Sequence, residues 1–560
     1  MNTKQSVYDL VNIAYKKGIR KVVFSSGSRN APLVIAFNEH RGFQTFSIHD
    51  ERSAAFFALG MSQQTGETVA LACTSGSAAL NYAPAIAEAY YQRIPLLVIT
   101  ADRPLEWIDQ GEGQTMRQHN IYANFIKNSY EIFQETVHPD ELRYNNRMFN
   151  EAINLTQIAP HGPVHVNIPL REPLYRMDKN FRTDNVEIIE NISPLPELSD
   201  SVMDSLAEIW NDSRRKIILT GILPEDTELK EIIKTLSDDP SVVVMTETTS
   251  NIYDESFINN IDRFIMSIED EEEYKPNLLL TLGSNIVSKK IKLLLRKWNP
   301  TEHWDVDESD KIIDTYKSLT KHIKSELKSF LKGLDKRKKI YNSDFKDKYI
   351  KQENKVKIKH KDFLEKSSWS DLKAYYIVNK YLPENINLQM ANSTAVRYAQ
   401  LMDSRADILY NSNRGVAGID GCTSTAVGAS IVNGKKTVLV TGDVAFLYDS
   451  NALWNRYLGE NLRIVVFNNE GGNIFRFIPG PSDTGQLEEF FEAHHSIDAE
   501  YIAKAFGINY YKAKDEEELK DNLSVFFDTQ SNNRPAILEI FTPRLENMEI
   551  LKEYFGNLRG

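Results

Sequence analysis

Short apolar, β-branched runs that end in glycine, asparagine or aspartate recur along this 560-residue chain, with helical stretches between them. In the first third the runs are 21–27 (KVVFSSG), 44–50, 68–76, 94–102 and 164–169, and alanine-rich stretches such as 51–61 and 77–91 separate them. Strands that alternate with helices build a parallel sheet covered on both faces. The pattern returns more sparsely at 216–221, 241–248 and 277–283, and again at 386–391, 408–411, 437–441, 463–468 and 536–541. One hydrophobic core does not grow to this length. The expected fold is therefore α/β, with three successive doubly wound parallel-sheet domains at 1–185, 195–335 and 365–560. Residues 192–198 (ISPLPEL), with two prolines, read as a linker, and 336–364 as a charged linker with little core-forming material.

Charge and composition exclude several classes of function. The net charge is -12, which disfavours nucleic acid as a partner because phosphate neutralisation needs a basic surface. Residues 311–361 dissent, with 17 Lys/Arg against 6 Asp/Glu, and read as a solvated helix and linker. No apolar run approaches the ~20 residues a membrane span requires. The first five residues lack the apolar core of a signal peptide. Cys73 and Cys422 are the only cysteines, so no disulfide framework exists and a cytoplasmic location is expected. His494-His495 reads as a cap or surface pair, no zinc-ligand spacing occurs, and no G-x-G-x-x-G follows the first strand.

In sheets of this kind, ligands bind outside the carboxyl ends of the strands. Asp443 follows the buried-strand pattern 438–442 (VLVTG), and Asn469 lies 26 residues later at the end of the next such run, followed by Glu470, Gly471 and Gly472. Mg²⁺ takes about six oxygens in a rigid octahedron, several of them from phosphate and water. The Asp443 and Asn469 side chains and the Gly471 carbonyl would supply three. Arg29, Arg103, Arg397 and Arg414 all stand in loops just after strands. Arginine matches carboxylates in planar, bidentate fashion, so four at comparable strand ends predict substrates with several carboxylates.

Gly442-Asp443 followed by Asn468-Asn469 resembles the signature of the thiamine-diphosphate enzymes, Gly-Asp-Gly with Asn-Asn further on, although Val444 replaces the second glycine. Segments 26–33 (SGSRNAPL), 100–104 (TADRP), 412–415 (SNRG), 418–421 (GIDG) and 468–475 (NNEGGNIF) are similar to one menaquinone-pathway family of that group, the 2-succinyl-5-enolpyruvyl-6-hydroxy-3-cyclohexene-1-carboxylate synthases. The similarity runs over nearly the whole chain and is poorest in the middle.

The resemblance implies thiamine diphosphate and Mg²⁺ (or Mn²⁺) as cofactors, with Asp443, Asn469 and Gly471 on the metal. It implies that Thr74, Gly415, Ile419, Gly442, Val444, Gly472 and Ile474 also contact the cofactor, Ile419 as the apolar wedge that bends it. Glu51, which opens the apolar helical stretch 51–61, would be the catalytic carboxyl that activates the aminopyrimidine; burial among apolar neighbours raises a carboxyl pKa and suits it to share a proton. Because the family's activating glutamate serves a cofactor held by another subunit, a homo-oligomer (dimer or tetramer) with active sites between subunits is implied. Ser28, Arg29, Arg103, Gln114, Ser393, Arg397 and Arg414 match substrate contacts, as do Lys289 and Lys290, the latter where arginine is usual. Ile474, Phe475 and Ile478 would form an apolar wall over the reacting centre. The implied reaction decarboxylates 2-oxoglutarate and adds the product carbon to isochorismate. Another thiamine-diphosphate 2-oxo acid decarboxylase or an acetolactate-synthase-like enzyme is disfavoured by the arginines. A non-catalytic regulatory protein on the same scaffold is disfavoured by the presence of Glu51, Asp443 and Asn469.

Overall fold

The computed structural model describes residues 4–177, 186–478, 480–528 and 533–559, so the expected boundary at 185 lies outside the described residues. Three sheets are present. The first contains β1 (Lys21–Phe24), β2 (Gln44–Ser47), β3 (Val69–Cys73), β4 (Leu96–Asp102), β5 (Ser129–Glu131) and β6 (Val164–Pro169) in the order β2-β1-β3-β4-β6-β5, and every pairing is parallel. The second contains β7 (Lys216–Thr220), β8 (Val242–Thr246), β9 (Leu278–Leu282), β10 (Glu302–Asp307) and β11 (Lys321–Lys324), ordered β11-β10-β9-β7-β8 and again parallel. The third contains β12 (Asn387–Met390), β13 (Leu409–Asn411), β14 (Thr437–Gly442), β15 (Leu462–Asn468), β16 (Asn509–Ala513) and β17 (Ala536–Phe541), ordered β13-β12-β14-β15-β17-β16. The first and third sheets thus share one strand order. In each, the chain steps to opposite sides of its first strand, and the crevice at that reversal is where α/β sheets bind ligands.

The expected α/β class with three parallel-sheet domains is present. Compactness groups the chain differently from the expected partition: one unit contains 1–193, 413–437 and 445–462, the other 194–412, 438–444 and 463–560. In the first unit, helix Glu51–Thr65 is capped by Asp50, whose Oδ1 accepts from Ser53 N at 3.1 Å, and ends at Gly66 with φ 67°. It crosses helix Cys422–Val432 with the two backbones in contact. A Cβ on Gly60 would lie 2.0 Å from the Thr425 carbonyl oxygen, and one on Gly428 2.0 Å from that of Phe57. Only glycine on both helices permits this crossing, which fixes the helix that begins with Glu51. The core beneath includes Leu33, Phe37, Ile99 and Val166.

In the second unit, two apolar clusters cover the two faces of the middle sheet, one around Trp210 and Trp304, the other around Phe264, Leu279 and Trp298. The expected charged linker at 336–364 is largely a packed helix, Phe345–Lys366. Phe345, Tyr349, Val356, His360 and Leu364 recur on one buried face while the lysines take the solvent side. Tyr349 stacks on Phe264 with centroids 4.8 Å apart and donates to the Tyr274 carbonyl at 2.6 Å. Residues 345 and 349 therefore belong to the core that the middle sheet builds. Among the described residues, no helix is long and apolar enough to cross a membrane.

Candidate active site

The predicted site residues fall into two sets, one in each compact unit. The set in the second unit begins at the carboxyl ends of β14 and β15. Asp443 opens a helical turn and is 4 % exposed. Its Oδ2 accepts from Gly471 N at 2.9 Å and Asn469 N at 3.2 Å, while Oδ1 accepts from Val444 N at 2.7 Å. The Gly-rich turn after β15 is thus folded around this carboxylate. Gly471 has φ 150°, and a Cβ there would lie 2.7 Å from the Glu492 carbonyl oxygen, so no larger residue fits. Gly472 donates to that same carbonyl. Val444, in place of the signature's glycine, gives its backbone N–H to Asp443 and leaves the arrangement intact.

Asn469 adds the second oxygen. Its Nδ2 donates to Asp371 Oδ2 at 2.8 Å, and its Oδ1 is buried with no hydrogen-bond partner among the described residues. An orphaned amide oxygen beside a carboxylate is the kind of donor set a hard cation takes. Among the described residues no group of three or more His, Cys, Asp or Glu side chains could hold a metal alone. A cation here would complete its shell with diphosphate oxygens and water. Burial pushes Asp371 up to about 6, against the hydrogen bonds of Thr542 and Asn469 and with the charge of Asp443 adding to the rise. His495 also reaches this place. Its Nε2 lies 3.4 Å from Asp443 Oδ2, and that contact raises its pKa.

Beside β12, Ser393 adopts φ 76° and starts the helix Thr394–Ala399, which carries Arg397. Arg397 Nε is buried and without a hydrogen-bond partner among the described residues. Burial lowers the pKa of its guanidinium, and the charges of Asp262 and Glu247 partly offset this. Arg397 lines a cavity of about 270 Å³ together with Lys289, Lys290 and Lys552, facing Ile474, Phe477, Ile478, Leu551 and Phe555. Glu247 places the two lysines: its carboxylate accepts from Val287 N and Ser288 N, each at 2.7 Å, just before the helix Lys289–Trp298. The expected apolar wall is divided at this point. Ile474, Phe477 and Ile478 face the cavity, while Phe475 lies beside the Gly472 turn and packs on Phe491 with centroids 6.0 Å apart.

In the first unit, Ser28, Arg29, Thr74, Arg103 and Gln114 gather at the carboxyl ends of β1, β3 and β4. Arg29 N donates to Thr74 Oγ1 at 3.2 Å, and its Nη1 to the Leu170 carbonyl at 2.8 Å. Burial and the nearby charge of Arg103 lower the Arg29 pKa. Arg103 Nη2 donates to Gln114 Oε1 at 3.2 Å, and Gln114 holds φ 57°. Ser28 is exposed at the rim. Glu51 is half-buried, and burial raises its pKa, with Asp50 adding to the effect. Arg414, Gly415 and Ile419 also lie in this unit, in the loop before helix Cys422–Val432. Glu88, fully inside helix Ala83–Gln92, accepts from Gly415 N at 2.5 Å and Val416 N at 2.8 Å, and so fixes the backbone beside Arg414.

The sequence is similar to known proteins along its whole length. Three profiles of the thiamine pyrophosphate enzymes match it: the N-terminal TPP binding domain over residues 6–121, the middle domain over 195–390 and the C-terminal TPP binding domain over 393–540. A 2-succinyl-5-enolpyruvyl-6-hydroxy-3-cyclohexene-1-carboxylate synthase of Flavobacterium johnsoniae is 44% identical over 556 residues, 98% of each chain. Enzymes of the same name from Porphyromonas gingivalis (40%, over 100% of this chain and 98% of the relative) and Desulfotalea psychrophila (37%, over 97% and 99%) agree. The chain belongs to this synthase family of thiamine pyrophosphate enzymes. As a family member it depends on thiamine diphosphate and a divalent metal, and the Asp443–Asn469–Gly471 turn has the chemistry to hold them. The spacing of motifs in this chain does not disclose Asp371, His495 or Glu88, nor the cavity-lining Phe477, Lys552 and Phe555. The first three meet segments distant in the chain, and none of the six belongs to a local pattern.

Proposed function

We propose that this chain uses thiamine diphosphate and Mg²⁺ to decarboxylate 2-oxoglutarate and to join the remaining succinyl unit to isochorismate, a carbon–carbon bond-forming step of menaquinone biosynthesis. The observation that carries this reading is the pair of oxygens at the ends of β14 and β15, the Asp443 carboxylate and the orphaned Asn469 Oδ1, beside a cavity lined by four cations on an apolar wall. When bound, thiamine diphosphate supplies the carbon nucleophile and the electron sink that let a 2-oxo acid lose CO₂. The chain's own residues do the rest. Asp443, Asn469 and the Gly471 carbonyl hold the metal and, through it, the diphosphate. Glu51, its pKa raised by burial, hydrogen-bonds the aminopyrimidine and holds a proton at its ring nitrogen. Arg397, Lys289 and Lys290 bind substrate carboxylates, each charge-assisted bond contributing roughly 1.5–3 kcal/mol. Ile474, Phe477 and Ile478 exclude water, which strengthens those bonds. Ser28, Arg29, Arg103, Gln114 and Arg414 serve the second acid.

We further infer a homo-oligomer, a dimer or tetramer, in which Glu51 of one copy serves cofactor bound at Asp443 of another. Cys73 and Cys422 are buried and not joined in a disulfide, which supports work in the reducing cytoplasm. The deciding experiment is an assay of purified protein with thiamine diphosphate, Mg²⁺, 2-oxoglutarate and isochorismate. Turnover that needs all four supports the reading, and preference for pyruvate over 2-oxoglutarate would move the chain to another thiamine-dependent activity. For the oligomer, Glu51→Gln and Asp443→Ala chains, inactive apart, should regain activity when refolded together; no recovery would place both groups in one chain.

A further inference from the structure

The two ends of the Asn469 amide have different surroundings. Nδ2 donates to Asp371 Oδ2 at 2.8 Å, while Oδ1 is buried without a hydrogen-bond partner among the described residues. The two ends of an amide have nearly the same size, so a half-turn about its last bond exchanges them at little steric cost. Turned that way, Asn469 would aim an NH₂ group at a cation and an oxygen at the Asp371 carboxylate. Both contacts would be repulsive. An ionised carboxylate only accepts hydrogen bonds, so it is the partner that tells the two ends apart.

Asp371 is itself held firmly. Its Oδ1 accepts from Thr542 Oγ1 at 2.5 Å, and its backbone N–H donates to Asn547 Oδ1 at 2.8 Å. The side chain is 1 % exposed and lies in the first turn of helix Asp371–Tyr381, which Ser370 caps through Lys373 N. We propose that Asp371 is a positioning residue for the metal: its carboxylate locks the Asn469 amide with the oxygen toward the cation that carries the diphosphate. It acts through Asn469 and touches neither cofactor nor substrate. The inference rests on the reading of Asp443, Asn469 and Gly471 as the metal site, and is independent of which acids the enzyme joins.

The test is a calorimetric Mg²⁺ titration at saturating thiamine diphosphate, with no substrate present. Asp371→Asn is expected to weaken Mg²⁺ binding about 10- to 100-fold, the usual effect of losing a partner that orients a ligand. Thr542→Val, which frees the far oxygen of Asp371, gives a smaller loss of the same sign. Asn469→Asp sets two carboxylates face to face and also weakens binding. Combining Asp371→Asn with Asn469→Asp restores the pair with donor and acceptor exchanged and leaves an oxygen for the metal. That double variant should bind Mg²⁺ at least about tenfold better than either single one, a coupling expected of groups in contact. A merely structural role would instead lower the thermal midpoint of the cofactor-free protein and show no such rescue. Wild-type Mg²⁺ affinity in Asp371→Asn, or a double variant no better than the singles, overturns the proposal. Unchanged affinity in Asp443→Ala would refute the metal site itself, and the inference with it.

Discussion

Lys290 Nζ stands 4.3 Å above the centroid of the Phe555 ring, so a cation from the middle-sheet segment is seated on the C-terminal helix Glu546–Arg559. Lysine is a flexible point charge and lacks arginine's rigid fork, so an ordered Lys290 needs an external support. Phe555 supplies it within the cavity that Arg397 and Lys552 also line. A cation–π contact at a partly open site contributes about 0.5–1 kcal/mol. Phe555→Leu keeps the apolar wall and removes the ring face. It is expected to raise the KM of one dicarboxylate about two- to fivefold, with thiamine diphosphate affinity unchanged. Equal KM values in variant and wild type would detach Phe555 from substrate binding.

Glu51→Gln tests the carboxyl itself. The variant keeps the size and one acceptor oxygen but cannot share a proton in the same way. CO₂ release from 2-oxoglutarate is expected to fall by at least about 10², the lower range for loss of a general acid–base group. Cofactor affinity should change little, because the proposed anchors of the diphosphate end are Asp443 and Asn469. A variant that decarboxylates at more than a tenth of the wild-type rate would remove Glu51 from the activating role.

The strand pattern was legible wherever a strand is buried on both faces, because such strands read as continuous apolar runs. The strands that escaped were β5, β10, β11 and β16. Three of them, β5, β11 and β16, are sheet edges, and their sequences (SYE, KHIK, NYYKA) carry polar residues that blunt an open edge. The helix 345–366 was obscured by its lysines, although its buried residues recur on one face. At the site, strand-end residues such as Asp443, Asn469 and Arg397 were legible because a parallel sheet collects them at one edge. Asp371 was not, since a first-turn acid looks like any helix start.

The cavity's cations stand on helices of the middle and C-terminal segments, and an ion network centred on buried Arg263 and Glu353 links those segments. Arg263, fully buried, donates from Nη2 to Glu353 Oε1 and from Nη1 to Asp403 Oδ1, both at 2.8 Å. Asn260 Nδ2 reaches the carbonyls of Gln400 and Met402 beside it. Arg263→Met strands the Glu353 carboxylate in the interior, at a cost of about 3–5 kcal/mol. The urea midpoint should fall accordingly, and the Arg263→Met/Glu353→Leu pair should recover much of the loss. A single variant as stable as wild type would mean that water reaches Glu353.

Asp449 gives the stability of the first unit a pH dependence. Its side chain is fully buried; Oδ2 accepts from Ser424 N at 2.7 Å and Oδ1 from Ser424 Oγ at 2.9 Å, with Arg52 Nη2 3.9 Å away. Burial outweighs those bonds and pushes the carboxyl from 3.8 up to about 7. Between these values the folded protein holds a proton that the unfolded chain has released. The native state then binds more protons, so stability falls as pH rises from about 4 to about 7. The contribution is fully present below the unfolded pKa and lost once pH passes the folded one. Asp449→Asn stays neutral at every pH, and Ser424 Oγ can turn to accept from its amide. Thermal midpoints of cofactor-free protein from pH 4.5 to 8 should therefore converge or cross: Asp449→Asn matches wild type or falls below it at the acid end and exceeds it at the alkaline end. Asp371 remains in both proteins and cancels in the difference. Parallel curves would show that Asp449 is ionised throughout, paired closely enough with Arg52 and Ser424 to offset its burial.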